Sequence, residues 1–360
     1  MWKVKRTLNP TGSVAAPAEF PMEMRYRSIL EGLAPPDPLA QFHLRRGSPE
    51  EEFPDLSRNY TWMGRILTPA MYRRQFNRCT SSGVVFDDVI RPGLEEPGQR
   101  SGPVSVGCAA GDAQSYILFC DFFDRVIEAH HEHKISSETP ESDLNYANLK
   151  GSDDLDGSYA VGCELSVVRG VEDFCFPPHC SRGERRQLLA LARRGTAVPD
   201  RFRLSHDGSL VIWVNMDEHL RLVSTRGDAN VAEALRCICT NLQKLETCFQ
   251  ELRHPFIWKQ QLGWLTSSPA DVGTGLRVSV RLKLQLLPRH RRLQDILKRL
   301  RIRMGRTGIP AMYCVTNAAT FGLSEVALTQ LVVDGVKLLV AMETRLEENL
   351  DIEGLIPAQK

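Results

Sequence analysis

The segment Gly273-Thr274-Gly275-Leu276-Arg277 has a composition suited to phosphate chemistry. Two glycines let backbone N–H groups approach a ligand closely, and an arginine follows at once. A guanidinium can meet two phosphate oxygens with parallel N–H bonds. A GTG run is also a common turn, so a phosphoryl-ligand site and a plain turn both stay open. Residues 281–306 hold ten Lys or Arg against Asp295 alone. These charges follow the polar faces of one strand and one helix. That favours a solvated surface over a nucleic-acid patch, with some charge free to face an anionic small molecule.

Two other clusters invite a metal and do not complete one. His130-His131-Glu132-His133 has the right residue types, but no carboxylate motif is spaced to help. Histidines on a polar stretch are expected to be solvated. Cys175 and Cys180 flank His179 without a second pair at finger-like spacing, so buried thiols and a loop histidine are expected.

The elements that must position these residues follow from patterning. Val278, Val280, Leu282, Leu284 and Leu286 alternate with Arg277, Ser279, Arg281, Lys283 and Gln285, which predicts a half-buried strand. Ser209 to Val214 and His219 to Ser224 read as a hairpin around Asn215-Met216-Asp217-Glu218. Helices are predicted from Val231 to Leu252, around Leu293 to Leu300, and after an N-cap at Ser324 through Leu346. Upstream, Thr68-Pro69 opens a helix through Phe76, and Asp112 caps another through Ile127. The polar stretch from His130 to Gly157 reads as a linker, and residues 1–45, rich in Pro and Ala, as a flexible extension. The fold class is α+β: a small all-helical domain over 46–130, a linker over 131–157, and a larger domain over 158–360 of antiparallel sheet flanked by helices.

Composition bounds the rest. With 360 residues and 42% hydrophobic, 25% charged composition, the chain is long enough for two domains and not disordered over most of its length. Balanced charge, 45 Lys+Arg against 44 Asp+Glu, argues against a nucleic-acid binder. The best apolar stretch, Leu331 to Met342, is broken by Asp334 and Lys337, so no membrane span is expected. Ten cysteines over this length are no disulfide framework. Pro10 and Pro17 break the helix that a mitochondrial presequence would need, and a cytoplasmic location is expected.

Longer segments are more specific. PPHCSRGERR (Pro177 to Arg186), WVNMDEHLRLVS (Trp213 to Ser224), SPADVGTGLR (Ser268 to Arg277) and the tail VVDGVKLLVAMETRLEENLDIEGLIPAQK resemble the creatine kinases of the phosphagen (ATP:guanidino) kinase family. So do EFPDLSRN, LTPAMY, SSGVVFDDVI, VGCAAGD and GSDDLD upstream, in the cytosolic form, and the resemblance covers residues 40 to 360. It implies a helical N-terminal domain, a sheet domain, and reversible phosphoryl transfer from MgATP to creatine. ATP/ADP and creatine/phosphocreatine are then the ligands, Mg2+ arrives with the nucleotide, and a homodimer or a heterodimer with an intact relative is implied.

By the same resemblance, Arg221 and Arg277 are kept phosphate arginines, and Asp217 stands for the catalytic glutamate, one methylene short. The family's reactive cysteine is Ser268, which forms no thiolate at neutral pH. The SSRVRTGR segment appears as Gly162 to Arg169, with Glu164 and Ser166 in place of two arginines. The RGTGG loop becomes Gly305-Arg306-Thr307-Gly308-Ile309, its arginine moved by one position. Between Arg186 and Ser209 the chain is shorter than the family, which implies an incomplete fold lacking an interior strand near 187–208. Weak or absent activity is therefore expected. The alternative is a non-catalytic homologue acting by dimerisation or docking. The helical domain is expected to fold independently of the shortened sheet domain.

Overall fold

The computed structural model describes residues 47–152, 155–196 and 210–358. The expected extension over 1–45 lies outside the described residues. The helical part begins with α1 (Pro49–Glu52), α2 (Trp62–Ile66), α3 (Pro69–Gln75) and α4 (Phe86–Glu95). Thr68 caps α3 as its sequence predicts, its Oγ accepting from the Met71 N–H, with Pro69 at the first position. Asp112 accepts from the N–H and hydroxyl of Ser115 and so starts α5 (Ser115–Leu118). The helix then breaks at Phe119 and resumes as α6 (Cys120–His131).

Residues 160–317 build the sheet. Its strands are β1 (Ala160–Arg169), β2 (Leu210–Val214), β3 (Leu220–Arg226), β6 (Leu276–Lys283), β7 (Ile302–Arg306) and β8 (Met312–Asn317). A separate short hairpin pairs β4 (Trp258–Lys259) with β5 (Gly263–Trp264). The main sheet is antiparallel in the order β2-β3-β1-β6-β8-β7. One face buries Cys163, Leu165, Val167, Leu222, Val278, Val280 and Val315. It is covered by α8 (Val231–Glu251) and α10 (Glu325–Glu347), while α9 (Leu293–Arg299) packs at the β7 end. The other face carries Glu164, Ser166, Arg221, Arg277 and Ser279, because strand residues alternate in direction.

Two expectations need correction. The sheet has no vacant interior position: its ladder runs unbroken from β2 to β7, with β2 an edge strand. The short passage supplies a helix, α7 (Arg182–Thr196), whose Leu188 and Ala192 are buried in the main core. That amphipathic face replaces cover that the shortening would otherwise remove. Second, the helical part does not own its core. The cluster around Phe86, Phe122 and Phe123 also takes in Phe176, Ile257, Leu262, Leu265, Val272 and Phe321 from beyond residue 158. Within the 131–157 stretch, Ser142 and the Asp143 N–H donate to the buried carboxylate of Glu325 on α10. No helix among the described residues is long and apolar enough to cross a membrane.

Candidate functional site

The two central strands place the candidate residues on one surface. Ser166 of β1 pairs across to Arg277 of β6 and to Val223 of β3, and Val168 pairs with Arg221. Arg221 and Arg277 thus flank the C-terminal half of β1 from either side. The glycine loop feeds β6: Gly273 and Gly275 have φ of 102° and 61°, which side-chain-bearing residues rarely adopt. A Cβ on Gly275 would lie 2.6 Å from the Val168 carbonyl oxygen, so the loop packs directly on the end of β1.

Each arginine is neutralised within the chain. Arg277 donates from Nε (3.0 Å) and Nη2 (2.8 Å) to Asp271 and from Nη2 to the Ala270 carbonyl (2.9 Å). Arg221 chelates Asp217 with both Nε and Nη2 and reaches Ser166 Oγ at 3.5 Å. Asp217 therefore faces Arg221. The carboxylate beside Ser268 is instead that of Glu218, which is 2% exposed. It accepts from Ser267 Oγ (2.7 Å), Ser267 N (2.9 Å) and Ser268 N (3.2 Å). Burial outweighs those bonds and pushes the Glu218 carboxyl up to about 7, with Asp271 adding repulsion. Ser268 Oγ accepts from the Ala270 N–H at 3.3 Å, so the hydroxyl supports the loop turn.

His219 holds this carboxylate hairpin to the adjoining loop. The Val171 N–H donates to its Nδ1 (3.0 Å), so Nε2 carries the proton and donates to the Cys175 carbonyl (2.8 Å). Burial lowers its pKa to about 4, and the ring is neutral.

The remaining candidates divide. Glu164 is exposed on the site face, one side-chain step from Ser166. Arg306 is not on that face. It lies two residues beyond Met304 and four beyond Ile302, which pack on the main core, so its side chain shares their face and leaves on the side of the sheet opposite the site. A shift of one residue in a strand moves a side chain to the other face, and Gly305 now holds the site-facing position. Thr307 closes the β7–β8 turn: its Oγ donates to the Met312 carbonyl at 2.8 Å. Gly308 is exposed in that turn, with nothing within 4 Å of a Cβ built on it.

Two of the three histidines in the cluster also depart from their expected solvation, while His133 is exposed. His130 and His131 end α6 at 7% and 1% exposure. Burial lowers His131 to about 4 and His130 to about 2. Among the described residues no group of three or more His, Cys, Asp or Glu could hold a metal. Burial raises the Cys175 and Cys180 thiols to about 12 and about 11, which makes them unreactive.

Sequence reasoning missed Glu218, Asp271 and Arg303. The first two sit in quoted motifs, but only tertiary contact shows which carboxylate reaches Ser268 and which holds Arg277. Arg303 falls in the basic stretch, and alternation with buried Ile302 was the signal that it faces the site.

Comparison with known proteins bears on the family and the fold. The model of the ATP:guanido phosphotransferase C-terminal catalytic domain matches residues 184–346, and that of the N-terminal domain matches 57–128. Creatine kinase M-type of Gallus gallus is 36% identical over 373 residues, covering 88% of this chain and 98% of that protein. The testis isozyme of creatine kinase from Oncorhynchus mykiss is 35% identical over 379 residues, covering 90% and 99%. The first alignment spans 373 residues, whereas 88% of 360 is about 317, so this chain is the shorter within the matched span. The crystal structure of a lombricine kinase superposes with a TM-score of 0.78 at 28% identity, covering 87% of this chain and all of that one. The duplicated taurocyamine kinase of Schistosoma mansoni, 20% identical with a TM-score of 0.74 over 85% of this chain and 50% of that one, shares the fold.

Proposed function

The chain belongs to the ATP:guanido phosphotransferase family, and from that premise we propose that it moves a phosphoryl group reversibly between MgATP and creatine, at a much reduced rate. The observation that carries this is the placement of Arg221 and Arg277 on either side of Ser166, on one face of the sheet. Phosphoryl transfer needs little covalent help from a protein, and positioning plus charge stabilisation supply most of the rate. Arg277 would exchange Asp271, and Arg221 would exchange Asp217, for phosphate oxygens. Asp217, once released, would turn its carboxylate to the guanidinium of the acceptor. Glu218 holds the Ser267-Ser268 backbone beneath it. Mg2+ enters with the nucleotide as part of the substrate.

The reduced rate is supported by Glu164 and Ser166 on the central strand. Two missing charge-assisted phosphate contacts are worth about 1.5–3 kcal/mol each. A carboxylate about 4 Å from a phosphate adds repulsion of about 4 kcal/mol at an effective dielectric of 20, an upper figure. Cytoplasmic location and dimerisation belong to the same proposal and rest on the resemblance.

A coupled-enzyme assay for ATP formation from MgADP and phosphocreatine tests this with the purified full chain. Slow, phosphocreatine-dependent turnover that Arg277→Ala abolishes is expected. Turnover only with another phosphorylated guanidino compound would replace creatine as the acceptor. No turnover with any of them, while MgADP still binds, would remove phosphoryl transfer from the proposal.

A further inference from the structure

We propose that Arg303 supplies a phosphate contact in this site, in place of the loop arginine that the β7 register has carried to the far face; the proposal rests on the site binding the phosphates of a nucleotide. Arg303 lies on β7 opposite Thr316, which lies opposite Ser279, so it shares the face of Arg277. Strands are about 4.8 Å apart and rise about 3.4 Å per residue. The Cα atoms of Arg277 and Arg303 are then about 12 Å apart across β8, a gap two arginine side chains can close around a diphosphate.

The Arg303 guanidinium has no hydrogen bond or ion pair among the described residues, although the side chain is half-buried. Arg277 and Arg221 have their carboxylates, and Arg303 has the exposed Glu132 as a more distant countercharge. Burial and then the Arg277 charge lower its pKa, as expected of a cation held beside another without an anion between them. A second group points the same way. His130 has both ring nitrogens buried and unpartnered, and it feels the charges of Arg303 and Arg277. A buried polar group left unpartnered and a half-buried guanidinium left unpaired are both costly, and an anion between the arginines would relieve the charge that both experience.

Sequence register explains how the contact arises. Gly305 occupies the site-facing position two residues beyond Arg303, and residues two apart on a strand share a face. An arginine at 303 therefore reaches the surface that one at 306 cannot.

Calorimetric titration of the full chain with MgADP and, separately, with inorganic pyrophosphate tests the assignment. The variants are Arg303→Gln and, as a control for net charge, Lys298→Gln on the exposed side of α9. Arg303→Gln is expected to weaken both ligands by about tenfold or more and to flatten the salt dependence, with Lys298→Gln near wild type. Thermal melts without ligand supply the readout that a merely structural arginine would not give. Arg303→Gln should melt at or above the wild-type temperature, and pyrophosphate should stabilise it less than it stabilises wild type. If wild type binds MgADP and Arg303→Gln binds it equally, Arg303 is no phosphate contact and the nucleotide site stands. If wild type binds pyrophosphate through Arg303 but not MgADP, the nucleotide function falls and the anion site stands. A lower melting temperature for Arg303→Gln with unchanged binding would make Arg303 structural and overturn the proposal.

Discussion

Glu218 sits under the Ser267-Ser268 backbone with three hydrogen bonds and still titrates near 7, because burial outweighs them. Its folded value lies above the ordinary 4.5, so the folded state holds this proton more tightly than the unfolded chain. The advantage is full below about 4.5 and is lost as pH rises to about 7, an effect of about 3 kcal/mol. His131 and His219 act in the opposite sense, since they stay neutral in the fold down to about 4 and stability falls as pH drops below 6.5. Comparing Glu218→Gln with wild type cancels the histidines. Urea denaturation at pH 5 and pH 8 should show the variant gaining about 3 kcal/mol relative to wild type at the higher pH. A difference that does not change with pH would mean the carboxyl is ionised throughout. Glu164 belongs to the same scale. Replacing Glu164 and Ser166 together with arginine should tighten MgADP by about two decades, from two contacts of about 1.5 kcal/mol each. An unchanged titration would assign the weak site to its backbone and not to its charges.

At the scale of elements, a strand's period of two decides which arginines matter. Arg306 looked equivalent to a family arginine by proximity in sequence, yet the register with Tyr313 turns it away from Arg277. Arg306→Ala is accordingly expected to leave MgADP affinity within twofold of wild type. Gly305→Arg should raise it about ten- to a hundredfold, because a Cβ at 305 meets nothing within 4 Å and faces the site. If Arg306→Ala weakens binding and Gly305→Arg does not help, the β7–β8 hairpin adopts another register when nucleotide binds. The strongly periodic elements were legible from the sequence. The alternation from Arg277 onward gave β6 with its charged side, Val231 to Leu252 gave α8, and Ser324 gave the start of α10. The short passage after Arg186 was not legible as a helix, since α7 is rich in arginine and shows its buried side through little more than Leu188 and Ala192. Strands β7 and β8 were missed for a related reason: both are short, and Arg303, Arg306 and Thr316 interrupt their apolar pattern. The candidate site was legible as a set of motifs. Its pairings were not, because Asp271–Arg277 and Glu218–Ser267 depend on side-chain direction in loops, which carry no period.

For the whole molecule, the decisive feature is that the second core crosses the expected domain boundary. Phe321 is 4% exposed and sits with His131 and His133 at the end of α6, while Phe176, Leu262, Leu265 and Val272 fill the same cluster. Hydrogen bonds cross with them: Tyr116 Oη donates to the Thr266 carbonyl at 2.9 Å, the Ala110 N–H to Ser267, and the Phe176 N–H to Gly111. A helical part deprived of these five apolar side chains and of Ile257 loses much of its buried surface, and a small domain has little stability to spare. Residues 47–131 alone are therefore expected to remain largely unfolded. In the full chain, Phe321→Ala should cost about 3–5 kcal/mol. The loss should appear equally in a probe of each half, since neither half retains its core without the other. Tryptophan fluorescence can report the two halves separately through Trp62 and Trp264, each followed with the other tryptophans replaced by Phe. Urea midpoints that shift together on Phe321→Ala would show one cooperative unit. A Trp62 transition unmoved by Phe321→Ala, or an isolated 47–131 fragment with full helical circular dichroism, would show instead that the helical part folds on its own and that the shared cluster is only an interface.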